Sequence, residues 1–128
     1  MDILLDTHVF MWFMNGDKAL SEGHRGTIRN VNNKCYFSIA RIWEIAIKQS
    51  IHKLELASCF DKIQDFMFEN EIELLPISFE HIQQLLTLEY CHRDPFDRII
   101  IAQGVAEKLT ILTRDSNFSR HRVLALWE

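Results

Sequence analysis

The chain alternates short apolar runs of strand length with longer segments in which apolar residues recur at helical spacing. Strands are predicted at residues 3–5, 35–37, 72–77, 109–113 and 123–127. Helices are predicted at residues 7–14, 27–32, 39–52, 60–67, 79–86 and 95–106. Strands that alternate with helices indicate a parallel sheet with helices on both faces. We therefore predict one three-layer α/β domain over residues 1–128, with a mainly parallel central sheet of about 4–5 strands.

Several predicted helices begin with a residue that suits the N-cap position. Ser38 and Ser78 each precede a helical pattern, and Asp94 is followed by Pro95, which suits the first helical position. Asp97 falls three residues after the Asp94 cap. The body of that helix is apolar nearly all round, which is typical of a helix buried in the middle of a domain.

Four carboxylates stand at the ends of predicted strands or in the helices that follow them, namely Asp6, Glu44, Asp97 and Asp115. Ligands of open parallel sheets bind outside the carboxyl ends of the strands, so these side chains can converge. Crowded carboxylates repel one another unless a cation neutralises them, and Mg²⁺ or Mn²⁺ prefers such oxygen ligands. The placement predicts a divalent metal site suited to phosphoryl chemistry.

Each carboxylate also has a structural interpretation. Glu44 lies between Arg41 and Lys48 at helical spacing and can form solvated ion pairs. Asp97 can stabilise the start of its helix, and the other two can act as a helix cap and a turn former. The placement that the four acids share favours the metal site over these separate interpretations.

The charge balance argues against a surface that coats nucleic acid, because the formal net charge is −4. A local phosphate site remains open, with Arg93, Arg98 and Arg114 beside the C-terminal acids as its candidate ligands. The alternative is that these arginines only balance neighbouring acids. The six histidines are scattered without zinc-ligand spacing, although His8 and His92 lie close enough to the acids to contact a substrate.

The remaining composition indicates a cytoplasmic protein. Cys35, Cys59 and Cys91 lack the paired spacing of a zinc or redox motif and are predicted to be reduced core thiols. The apolar runs are much shorter than the ~20 residues that cross a bilayer. The N-terminal MDILLD lacks the features of a signal peptide, and no membrane association is expected.

Four segments resemble one known family: LLDTH at residues 4–8, SIARIWEIAIK at 38–48, HRDPFDR at 92–98 and LTRD at 112–115. Over essentially its whole length the chain is similar to PIN-domain proteins, specifically VapC-type toxins of type II toxin–antitoxin pairs. The resemblance implies an endoribonuclease that depends on Mg²⁺ or Mn²⁺, is suppressed by a cognate antitoxin and commonly forms a homodimer. It places the acidic constellation on the four carboxylates above, with Thr7 or Ser38 as a supporting hydroxyl. Arg41 departs from the family, whose members often carry a small or hydroxyl residue there, and it is expected not to touch the acids.

Two alternative functions stay open. One is a catalytically silent PIN-like module that binds a partner protein or RNA, and the other is a small metal-dependent phosphodiesterase. The apolar residues 10–14 and the aromatic residues near 60–68 either fill the core or meet a partner, and the core interpretation is favoured.

Overall fold

The computed structural model describes residues 1–51, 60–88, 94–115, 118 and 124–126. Its strands are β1 (Asp2–Leu5), β2 (Lys34–Ser38), β3 (Ile72–Leu75), β4 (Thr110–Leu112) and β5 (Leu124–Leu126). Its helices are α1 (Thr7–Asn15), α2 (Glu22–Arg29), α3 (Ile39–Ser50), α4 (Lys62–Glu69), α5 (Phe79–Leu85) and α6 (Pro95–Glu107). The strands pair in parallel in the order β3-β2-β1-β4-β5. The predicted α/β architecture is confirmed.

Two hydrophobic cores lie on the opposite faces of the sheet, because successive side chains of a strand point to opposite sides. Ile3 and Leu5 of β1 belong to one core, together with residues of α1, α2, α3 and α4. Leu4 belongs to the other core, which α6 dominates. The three layers that were predicted from the alternation of strands and helices follow from this division.

The helix α6 occupies the centre of its layer. Six consecutive residues are buried there, from Ile99 to Gly104, as the apolar pattern predicts. The helix has 13 residues. Within the described ranges no helix is long and apolar enough to cross a membrane.

The apolar segment at the start of the chain fills the core of this domain. Phe10 is fully buried and stacks on Phe37 with ring centroids 4.0 Å apart, and Phe13 is buried beside it. Met11, Trp12 and Met14 are half-buried against the same core. The core interpretation of residues 10–14 therefore accounts for this segment.

The predicted helix starts are confirmed where a side chain caps the backbone. The Ser38 hydroxyl accepts a hydrogen bond from the Ala40 amide, and an Asp94 carboxylate oxygen accepts one from the Phe96 amide at 2.8 Å. Ser78 forms a reciprocal capping box with His81. These caps fix where α3, α5 and α6 begin, and hence where their first turns meet the sheet edge.

Several predicted boundaries were wrong, including those of the second helix and the ends of the third and fourth strands. The second helix spans α2 rather than residues 27–32, because Ser21 caps it early and the Asn30 side chain accepts from the Asn32 amide just after its end. β3 stops at Leu75 because Pro76 follows and cannot donate a ladder hydrogen bond. β4 ends at Leu112, before the polar residues that reach the site.

Cys35 is a core thiol, as predicted. It is buried in β2, and its Sγ donates to the Ile28 carbonyl oxygen at 3.7 Å. Burial raises the pKa of Cys35 to about 11, so the thiol stays protonated and unreactive at neutral pH. Cys59 and Cys91 lie outside the described residues.

Candidate active site

The topology gathers the four predicted carboxylates at one edge of the sheet. Asp6 follows β1 and Asp115 follows the neighbouring β4, while Glu44 projects from α3 and Asp97 from the first turn of α6. All four line one cavity of about 550 Å³. The other described residues that line it are Thr7, His8, Trp12, Arg41, Lys48, Asp94 and Arg114. The cavity lies outside the carboxyl ends of the strands, where parallel sheets place their ligands.

The guanidinium of Arg41 lies at the centre of this group. Its Nη2 donates to Asp6 Oδ1 at 2.8 Å and to Asp97 Oδ1 at 2.9 Å. Its Nη1 donates to Glu44 Oε1 at 2.9 Å. One buried cation thus joins carboxylates from three different elements of the fold.

The expectation that Arg41 does not touch the acids was wrong. Arg41 and Glu44 are 2% and 5% exposed, so the face of α3 that carries them points into the domain. The predicted pairs of Glu44 with Arg41 and Lys48 do form, but the carboxylate is buried rather than solvated. Arg41, which is larger than the residue that family members often carry at this position, therefore reaches into the acid cluster.

Two threonine hydroxyls also donate hydrogen bonds to these carboxylates. Thr113 Oγ1 donates to Asp6 Oδ2 at 2.9 Å, and Thr7 Oγ1 donates to Glu44 Oε1 at 3.2 Å. Thr113 Oγ1 also accepts from the Asp115 amide at 3.1 Å. Asp6 occupies the N-cap position of α1, but its carboxylate bonds to Arg41 and Thr113 and not to the helix amides. Its orientation into the cavity follows from these bonds.

Burial and charge have opposite effects on the ionisation of the cluster. Burial acts to lower the pKa of Arg41, but the charges of Asp6, Asp97 and Glu44 outweigh it and raise that pKa. Burial acts to raise the pKa of Glu44, but Arg41 and Lys48 lower it below its ordinary value. For Asp97 burial is the larger effect, and with the nearby Asp94 and Asp6 it raises the pKa in spite of Arg41. Arg41 therefore compensates the burial of Asp97 less fully than that of Glu44.

Replacing Glu44 with Gln is expected to lower the free energy of unfolding at pH 7 by about 1.5–3 kcal/mol, because charge-assisted bonds to Arg41 and Lys48 are lost. A lowered folded pKa contributes stability above the unfolded pKa, and that stability is lost as pH falls through the folded pKa. The difference between wild type and E44Q should therefore shrink below the ordinary pKa of 4.5. Urea unfolding between pH 3 and 7 measures it, and a pH-independent difference would contradict the assigned ion pairs.

The remaining predicted residues are only partly brought to the cavity. Arg114 lines it, is exposed, and lies over the Trp12 ring at 5.8 Å. Ser38 is fully buried at the start of α3, where it acts as the cap, and it does not line the cavity. Arg98, which the structure does describe, does not line it either. Arg93 and His92 lie outside the described residues.

Sequence reasoning missed several polar residues of the site. Arg41 and Lys48 were interpreted as solvated partners of Glu44, and Thr113 was assigned to the fourth strand. The available signal was that Arg41 and Lys48 share one helical face with Glu44, which is an acid of the candidate site. Thr113 directly precedes the RD pair that ends the LTRD segment, where a parallel strand delivers its functional residues.

The donor set suits a hard divalent cation in chemistry but not in arrangement. Carboxylates and threonine hydroxyls are the oxygen ligands that Mg²⁺ and Mn²⁺ prefer. However, the point shared by Asp6, Glu44 and Asp97 is held by the Arg41 guanidinium. Among the described residues no three acidic, His or Cys side chains are placed to hold a metal ion. The cluster as it stands therefore does not fit the cation that its composition favours.

The parallel three-layer α/β fold with an acidic cavity places the chain in the class of open-sheet α/β proteins whose sites lie at the carboxyl ends of the strands. Residues 3–124 match the PIN domain family, and the chain belongs to that family. A comparison with curated proteins found no match. Similar solved structures include VapBC2 from Rickettsia felis bound to a promoter DNA fragment, at 16% identity and a TM-score of 0.75, which covers 98% of each chain. VapBC-1 from nontypeable Haemophilus influenzae is similar at 15% identity and a TM-score of 0.70, covering 98% of this chain and 97% of the other.

Proposed function

We propose that this PIN-domain protein is an endoribonuclease toxin that hydrolyses RNA phosphodiester bonds in the cytoplasm. The observation that carries the proposal is the convergence of Asp6, Glu44, Asp97 and Asp115 on one cavity at the sheet edge. The match to the PIN family supports a nuclease, and the similarity of the fold to two VapBC proteins supports the toxin class. We further propose that a cognate antitoxin neutralises it and that the toxin forms a homodimer.

The charges of the cavity favour a requirement for Mg²⁺ or Mn²⁺. Among the described residues that line it, five are carboxylates and three are cationic, so an RNA phosphate would meet an excess of negative charge. One divalent cation neutralises that excess, and such ions usually accompany carboxylates at phosphate sites. We therefore propose that RNA cleavage requires Mg²⁺ or Mn²⁺ and that the Arg41 guanidinium does not replace it.

The protein's own residues suggest a division of roles. Arg114 is exposed at the rim of the cavity and can fork onto phosphate oxygens, and the half-buried Trp12 beside it offers a ring face for a base. Asp97, whose side chain is 22% exposed, can accept a proton from the attacking water. Thr7 and Thr113 orient Glu44 and Asp6 by hydrogen bonds.

One observation favours a second candidate, a catalytically silent PIN-like module that binds RNA or a partner protein. Arg41 neutralises three of the acids in the manner of a structural ion-pair network. A module of this kind would keep the fold and the cavity but not the hydrolysis.

Incubating the protein with a labelled RNA and with bis-p-nitrophenyl phosphate, in Mg²⁺, Mn²⁺ or EDTA, separates the candidates. We expect RNA fragments with a divalent cation, intact RNA in EDTA, and negligible turnover of the small ester. Retention of RNA without cleavage would support the silent module instead. Turnover of the ester with intact RNA would support a small-molecule phosphodiesterase. Co-purification of the protein with the product of a neighbouring small gene tests the antitoxin.

A further inference from the structure

One carboxylate oxygen from each of three acids in the cavity is bonded to the side chain of Arg41. Nη2 of Arg41 bridges Asp6 and Asp97, and Nη1 reaches Glu44, at distances of 2.8, 2.9 and 2.9 Å. Mg²⁺ binds oxygen at about 2.0–2.1 Å, so it cannot contact the same three oxygens while the guanidinium stays between them. Both groups are positive and compete for the same negative charge. A cation and Arg41 therefore cannot bind these three oxygens at the same time.

The acids accept hydrogen bonds from both Nη atoms of the Arg41 guanidinium, but they leave its buried Nε without an acceptor among the described residues. A buried unpaired donor costs free energy, which displacement of the side chain toward water would recover. Arg41 also lines the open cavity, so the side chain has space into which it can turn. The Arg41 guanidinium thus occupies the acid cluster, and the cavity beside it gives the side chain space to move away.

We propose that Arg41 is a built-in competitor of the divalent cation, and that the chain rests in a state in which its own guanidinium occupies the metal position. The inference rests on the proposed function, because that function requires the cation. In this resting state the carboxylates stay neutralised and the cation binds only when Arg41 moves out. The apparent affinity for the cation then equals the intrinsic affinity multiplied by the fraction of molecules in which the guanidinium has left.

The test compares Mn²⁺ binding to the full chain by isothermal titration and by the electron paramagnetic resonance of free Mn²⁺. Arg41→Ser carries the small hydroxyl side chain, and Arg41→Lys keeps the charge but cannot fork onto three carboxylates. Arg25→Ser is the matched control, because Arg25 is also buried but bonds to the Asp17 carbonyl far from the cavity. We expect R41S to bind Mn²⁺ at least about tenfold more tightly than wild type, with R41K between them and R25S unchanged.

Equal Mn²⁺ affinity in wild type and R41S, or no binding by either, would overturn the proposal. If R41S is unfolded without metal, recovery of its circular dichroism spectrum on addition of Mn²⁺ supports the proposal. If R41S stays unfolded at saturating Mn²⁺, the test rests on R41K. An Mn²⁺ affinity of R41K no higher than that of wild type then rejects the competitor role of Arg41. RNA cleavage is assayed separately. Failure of Mn²⁺-loaded R41S to cut RNA rejects the nuclease function but leaves the competition for the site intact.

Discussion

Replacing Asp97 with Asn is expected to reduce RNA cleavage by about 10²-fold or more, because the cavity loses a carboxylate that can accept a proton from the attacking water. Asn keeps the size and shape of the side chain and removes only the charge. Asp97 lies in the first turn of α6, whose cap is supplied by Asp94, so the helix start is not affected. Burial raises the pKa of Asp97 in spite of Arg41, so removing the charge also removes a desolvation cost. Rates on a labelled RNA and growth inhibition on expression measure the effect.

The control for this experiment is Asp65→Asn, which makes the same chemical change at an exposed position of α4 outside the cavity. We expect D65N to cleave RNA at the wild-type rate and D97N to retain the wild-type circular dichroism spectrum and antitoxin binding. Cleavage by D97N at the wild-type rate would reject the enzyme hypothesis. Sequencing of the RNA fragments from wild type and D97N identifies the cuts that depend on this residue.

The sheet and its functional edge could be predicted because they depend on local sequence. The runs that became β1 and β2 are apolar and short, and Ser38 and Asp94 cap helices through bonds to residues two positions away. Parallel strands place their carboxyl ends at one edge, so Asp6 and Asp115 could be assigned to the same place without coordinates. The positions of these elements fix where the backbone of each acid lies, but they do not fix what each side chain bonds to.

The role of Arg41 could not be predicted because it depends on contacts between distant segments. Its bonds to Asp6 and Asp97 span 35 and 56 residues of sequence. From sequence alone, only its spacing from Glu44 was visible, and that spacing is also typical of exposed ion pairs. Whether this face of α3 points inward is decided by packing against the sheet and α6. A buried ion pair and a solvated one therefore share the same sequence pattern.

Replacing Arg41 with Ser is expected to lower the free energy of unfolding in EDTA at pH 7 by about 3–5 kcal/mol, because buried carboxylates are left without their cation. Loss of the guanidinium should raise the pKa of Glu44 and Asp97, whose carboxylates it contacts. The difference from wild type is then largest at neutral pH and shrinks as pH falls through the carboxyl range, because protonation removes the uncompensated charge. Urea unfolding followed by circular dichroism at several pH values measures it.

The double variant R41S with E44Q tests whether the cost arises from the charges themselves. Removing one carboxylate relieves part of the repulsion, so the double variant should be less destabilised than the sum of the single variants by about 0.5–3 kcal/mol. The two residues are in contact at 2.9 Å, which makes such coupling expected. Additive costs would show that the Arg41–Glu44 pair is not coupled and that the cost of losing Arg41 arises from its other contacts. Coupling together with a pH-dependent cost would show that the acid cluster needs a positive charge, which the fold supplies as Arg41.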